Sequence, residues 1–264
     1  MRAPVHPKTD RSRATPTDAG AAVLAGQAVL TGQALRARLA LTAPALAAST
    51  ARLWRAPGLR ERYTVYVQAM HGVIRASVPL MERAAARCAE LGPRDRIAAP
   101  LAGYLREHIA EERGHDEWLL ADFAALGGDP ETLLTTLPQP AVARLVGAQQ
   151  YWIEYHHPVT LLGHIAVLEA NAPAPWLADR IVSATGLPEA AVTTVREHAG
   201  LDTGHAGTLF ALLDRLPLSP ALSSAVTVSG LHTLDALVEL FGCVDRDTRS
   251  APRPYGPTPG TDTS

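Results

Sequence analysis

Apolar positions recur at helical spacing along most of this chain, and the pattern with its punctuation predicts about seven helices between residues 19 and 242. The first covers 19–41, and a shorter piece over 43–54 stops before Pro57-Gly58. From 59 to 91, Tyr63, Tyr66, Val67, Met70, Val73 and Ile74 form one stripe, bent at Pro79 and ended by Leu91-Gly92-Pro93. Leu101, Leu105, Ile109, Leu119, Leu120 and Phe123 carry a helix over 96–126, up to Gly127-Gly128-Asp129-Pro130. A segment over 140–170 breaks near Pro158, a short helix spans 175–185, and Pro188 suits the first turn of another that ends near Pro217. The last helix, 219–242, is apolar. No alternating strand pattern of useful length occurs. The expected class is all-α, one domain over 19–242 flanked by disordered tails at 1–18 and 243–264, where turn residues replace the apolar period.

Composition narrows the partners. The chain is 47% hydrophobic but only 5% aromatic, so its core is built from Ala, Leu and Val, which suits closely packed helices. A net charge of −2 and the lack of any Lys/Arg-dense helix remove the electrostatic footprint of a nucleic-acid binder, leaving a small molecule as the expected partner. The apolar run AAVLAGQAVLTGQALRARLAL is interrupted by Gln27, Gln33, Arg36 and Arg38, so it reads as a packed helix and not a membrane span. Cys88 and Cys243 are far from any CxxC pairing and predict no disulfide framework. The polar, Pro-rich N-terminus lacks a secretory h-region, and a cytoplasmic location is expected.

The candidate chemistry centres on Glu197 to His205, EHAGLDTGH, where His198, Asp202 and His205 stand at i, i+4 and i+7 and share one helix face. Two imidazoles and a carboxylate suit a transition metal bound through nitrogen and oxygen. Glu112 and His115, three residues apart in EERGHDEW, offer a second carboxylate–imidazole pair, with Glu111 competing for the carboxylate role and His108 a turn further back. Glu169 ends the apolar run HIAVLEA, where a carboxylate is expensive to bury unless it meets a cation; Glu154, beside His156 and His157, is the alternative. His164, His71 and His232 read as hydrogen-bonded core histidines. Tyr66, His71, Trp118, Tyr151, Trp152, Tyr155 and His164 are candidates for a pocket wall. Three carboxylates and three imidazoles exceed what one ion at an open site takes, and they suit two ions bridged by carboxylate, iron or manganese in preference to zinc.

With an ExxH pair, a lone Glu and HxxxDxxH on successive segments, the chain resembles the haem-oxygenase-like diiron oxidases and oxygenases. His115 precedes Glu169 by 54 residues and Glu169 precedes His198 by 29, intervals similar to those of that family. The run EERGHDEWLLADFAALGGDP also resembles members described only as iron-containing redox enzymes, and the likeness covers roughly residues 55–242. The resemblance implies a single haem-oxygenase-like bundle that holds two Fe(II) ions, takes O2 as cosubstrate and oxidises a small molecule. N-oxygenation of an amine heads the implied outcomes, followed by oxidative cleavage of an amino acid or fatty acid. On this resemblance the metal ligands are Glu112, His115, Glu169, His198, Asp202 and His205, with Glu111 or Glu107 as rivals to Glu112 because that spacing varies among members. An external electron donor and a homodimer are compatible with the fold. The alternatives are a metal-free oxidase or hydrolase of the same fold, in which histidine and glutamate do acid–base work, and a non-enzymatic iron-binding bundle.

Overall fold

The structure is a computed structural model that describes residues 31–250, with the side chains of 201–206, 247, 249 and 250 outside the described set. Eleven α-helices occur among the described residues, and no strand. They are α1 (Gly32–Ala40), α2 (Ala43–Leu53), α3 (Leu59–Leu91), α4 (Ala98–Glu112), α5 (His115–Ala125), α6 (Pro130–Thr135), α7 (Pro140–Tyr155), α8 (Leu161–Ala170), α9 (Leu177–Thr185), α10 (Thr193–Arg215) and α11 (Pro220–Ser250). Two short 3-10 turns, Pro158–Thr160 and Glu189–Ala191, lead into α8 and α10.

The long helix α3 is the spine, packing against α4, α5, α7 and α11. Its start is fixed by a buried cation. Arg62 donates from Nε to the Leu53 carbonyl at 2.8 Å and from Nη1 to Pro57 at 2.7 Å, and it also meets the Arg55 carbonyl. One guanidinium thus satisfies carbonyls left open where α2 ends. On the far side of the bundle α8 lies against α11 with almost no side chain between them: an added Cβ at Gly163 would sit 2.1 Å from the Val226 carbonyl oxygen and 2.7 Å from the Gly230 nitrogen. Only glycine permits that approach, and it sets residues of α8 directly beside α11. A large core of Leu, Val and Ala runs through the bundle, and a second cluster of Tyr63, Leu119, Phe123, Ile181 and Val195 seals the α5–α9–α10 end.

Three sequence expectations change. The count rises from about seven helices to eleven because the 96–126 and 140–170 segments are each interrupted without losing their period and a short helix, α6, forms just after Asp129. The 96–126 helix is two helices, divided at Arg113 (φ −67°, ψ 123°) and Gly114 (φ 92°), the latter in the left-handed region that glycine enters freely. The last helix runs to Ser250 instead of ending at 242, because Val244 is fully buried and Asp245 pairs with Arg55 at 3.1 Å. The predicted helix start at 19 and the tail at 1–18 fall outside the described residues. Residues Pro220–Arg246 are long and apolar enough to cross a bilayer, but α11 packs on α2, α3, α7 and α8 as a core helix.

Candidate metal centre

Glu112 is the last residue of α4 and His115 the first of α5, so the ExxH pair straddles a helix break instead of sharing one helix face. The break still holds them together, with His115 Nδ1 3.1 Å from Glu112 Oε2. The His115 ring stacks on Trp118 with centroids 4.1 Å apart and meets the His198 ring edge-on at 5.0 Å. Glu112, His115 and His198 thereby bring three ligand atoms within 4.8 Å of one another.

A second triad lies on the other side of Glu112. His108, one turn back on α4, places Nε2 3.2 Å from Glu169 Oε1, and His108, Glu112 and Glu169 again bring three ligand atoms within 4.8 Å. Metal bonds of about 2.1 Å set ligand atoms at right angles about 3 Å apart, which matches these nitrogen–oxygen contacts. Glu112 belongs to both triads. A carboxylate has two oxygens, so one residue is able to serve two neighbouring positions, and the donor set fits two ions of the iron or manganese kind.

The candidate ligands are held from behind. His108 Nδ1 lies 3.2 Å from Glu111 Oε2, and its ring stacks on Tyr104 at 5.4 Å. His198 Nδ1 donates to the Thr194 carbonyl at 2.9 Å, which leaves Nε2 as the free nitrogen. Asp122, fully buried on α5, accepts the backbone N–H groups of Thr193 and Thr194 at 3.0 Å each, tying the start of α10 to α5. Burial raises the Asp122 carboxyl above its usual range against the pull of these donors. Burial also opposes charge on Glu112 and His108. In Glu112 the His115 hydrogen bond prevails and the pKa is lowered, while in His108 the hydrogen bond to Glu169 prevails and the pKa is raised.

Four of the six sequence candidates, Glu112, His115, Glu169 and His198, therefore meet in space. The side chains of Asp202 and His205 lie outside the described residues, although α10 carries both positions. The competing carboxylates go elsewhere: Glu154 forms a two-oxygen pair with Arg83, one contact at 2.7 Å, Glu111 backs His108, and Glu107 is exposed. His108, noted in the sequence as a turn further back, was left out of the expected ligand set, and its signal was the four-residue step to Glu112 on one face of α4.

Four of the five triad residues, His108, Glu112, Glu169 and His198, line a cavity of about 600 Å3 between α2, α3, α8, α10 and α11. Leu46, Met70, Leu161, Leu237 and Phe241 give its wall an aliphatic and aromatic character, and among its described lining residues there is no Lys or Arg. Tyr66 and His164 line it as the sequence allowed, and burial pushes the Tyr66 phenol up to about 12. Tyr151 and Tyr155 are instead exposed, while Trp152 packs on His232. Cys88 and Cys243 line neither the cavity nor the triads.

Comparison with solved structures gives the same architecture. A domain of unknown function with a haem oxygenase-like fold from Shewanella denitrificans superposes with a TM-score of 0.64 at 17% identity, covering 79% of this chain and 92% of that one. A TenA homolog from Pseudomonas syringae pv. tomato gives 0.59 at 12% identity, over 78% and 91%. At these identities the likeness establishes the fold alone. No curated protein sequence matches. The profile of a family described as iron-containing redox enzymes matches residues 66–237. With most of the helical bundle inside that match, the chain belongs to the family of iron-containing redox enzymes.

Proposed function

We propose that this protein is an O2-dependent non-haem diiron oxidase or oxygenase acting on a small, largely apolar molecule. The single observation that carries the reading is Glu112, shared by two triads of nitrogen and oxygen donors on the wall of an apolar cavity. When bound, two ferrous ions would supply electrons to O2 beside the substrate, with an external donor restoring them between turnovers. His108, Glu112 and Glu169 would hold one ion, and Glu112, His115 and His198 the other; Asp202 and His205 join the set on the strength of their spacing along α10. Glu111 and the Thr194 carbonyl fix the His108 and His198 rings so that each presents Nε2. The apolar wall excludes water from the bound substrate.

Amine N-oxygenation is the first reaction to assay, and oxidative cleavage of an amino acid or fatty acid the second. A metal-free enzyme of this fold fits less well, since the ionisable side chains among the described lining residues are His108, Glu112, Glu169 and His198 of the triads, the buried phenols and a neutral imidazole, with no thiol among them. An anaerobic ferrous titration followed by exposure to O2 tests the proposal. The expected result is about two irons per chain, O2 uptake that requires them, and loss of both in Glu112→Gln. Absent ferrous binding, or O2-dependent turnover that survives chelation, would overturn it.

A further inference from the structure

His164, five residues before Glu169 on α8, belongs to neither triad and yet lines the same cavity. Burial, with His232 nearby, pushes its imidazole down to about 4, so the ring is neutral. Its Nδ1 lies 3.1 Å from Thr233 Oγ1, which is its hydrogen-bond partner among the described residues. The Thr233 hydroxyl carries a single proton and gives it to the Ser229 carbonyl at 2.8 Å. The same oxygen receives the Gln149 amide at 3.4 Å, and the Gln149 carbonyl accepts from the Ser229 hydroxyl at 2.9 Å.

With its proton committed, Thr233 meets the imidazole as an acceptor, which assigns the ring hydrogen to Nδ1 and leaves Nε2 as a bare lone pair. No group of the described protein meets Nε2, and the ring borders the cavity. An acceptor that opens onto an apolar cavity is left for whatever occupies the cavity to satisfy. The charge around it also selects what arrives. A carboxylate placed there would face a lone pair with no Lys or Arg among the described lining residues, whereas an O–H or N–H would complete the network.

We propose that His164 is a specificity-determining residue whose Nε2 accepts a hydrogen bond from an O–H or N–H of an otherwise apolar substrate. The proposal rests on the cavity being the substrate site of the oxidase described above.

The test compares decan-1-ol with decyl methyl ether, which has a similar chain and no donor. Binding to the anaerobic full-length protein is followed through the fluorescence of Trp54 and Trp176, which line the cavity. Wild type is expected to favour the alcohol by about two- to tenfold, the worth of one neutral hydrogen bond. His164→Leu keeps the bulk and removes the acceptor, so the preference should vanish while ferrous stoichiometry stays unchanged. His164→Gln restores an acceptor near the Nε2 position and should retain the preference. Equal binding of alcohol and ether by wild type, or an alcohol preference that persists in His164→Leu, would overturn the proposal. Failure of the diiron reading is a separate result: no ferrous binding, with the alcohol preference intact.

Discussion

Replacing Asp122 by alanine should loosen the metal centre without touching it. The carboxylate accepts two N–H groups from the first turn of α10, at 3.0 Å each, and those donors have no intrahelical partner. Losing a helix N-cap costs about 0.5–2 kcal/mol, and a buried backbone donor left without its acceptor costs about 1–3 kcal/mol. Desolvation of the carboxylate, visible in its raised pKa, offsets part of this. A net loss of about 2–3 kcal/mol follows, which for a chain of this size lowers Tm by about 4–12 °C. The same turn supplies the Thr194 carbonyl that orients His198, so ferrous affinity should fall by about 10–100-fold, the usual effect of removing an outer partner of a metal ligand. Asp122→Asn, which keeps one acceptor oxygen, should lie between. Urea unfolding of the metal-free protein and a ferrous titration read the two effects separately. A stability change within about 0.5 kcal/mol would refute the capping argument, and a destabilised variant with wild-type ferrous affinity would refute its link to His198.

Gly163→Ala should destabilise by about 3 kcal/mol, at the upper end for overpacking, because the added carbon meets backbone atoms of α11 at 2.1 and 2.7 Å and no side chain there is able to rotate away. A lowered urea midpoint at unchanged slope is the expected reading, and a wild-type midpoint would show that α8 and α11 separate freely. His164 predicts a pH effect on the metal-free protein. Its folded pKa of about 4 lies below the ordinary 6.5, so the unfolded chain takes the proton first, and stability present above pH 6.5 is lost as pH falls toward 4. The loss attributable to this residue reaches about 2.5 kcal/mol at pH 4.5, so His164→Gln should show a correspondingly shallower decline between pH 7 and 4.5; identical declines would refute the assignment.

The helices were legible because their apolar stripes survive every interruption, and the interruptions were not legible for the same reason. Arg113-Gly114 divides two segments that both keep helical period, and a lone glycine inside such a pattern costs only about 1 kcal/mol in a helix, too little to signal a break. Glu169 was readable from the price of burying a carboxylate at the end of HIAVLEA, and it is indeed buried beside His108. That Glu154 faces away from the centre was not readable, since its partner Arg83 lies 71 residues earlier on another helix. Asp122 left a signal that went unused: a carboxylate between Leu119 and Phe123, inside the stripe of α5 that faces the core.

The helix break also explains how one carboxylate comes to stand in two triads. In a continuous helix Glu112 and His115 would stand at i and i+3 with His108 on the same stripe, and all three would compete for one ion. Because α4 ends at Glu112 and the chain turns through Gly114, His108 stays on the α4 side facing Glu169, while His115 opens α5 and faces His198. Glu112 stands at the hinge between them. The partition of donors into two triads is therefore a property of where α4 stops, and the left-handed glycine two residues later does as much to define the centre as the donors do.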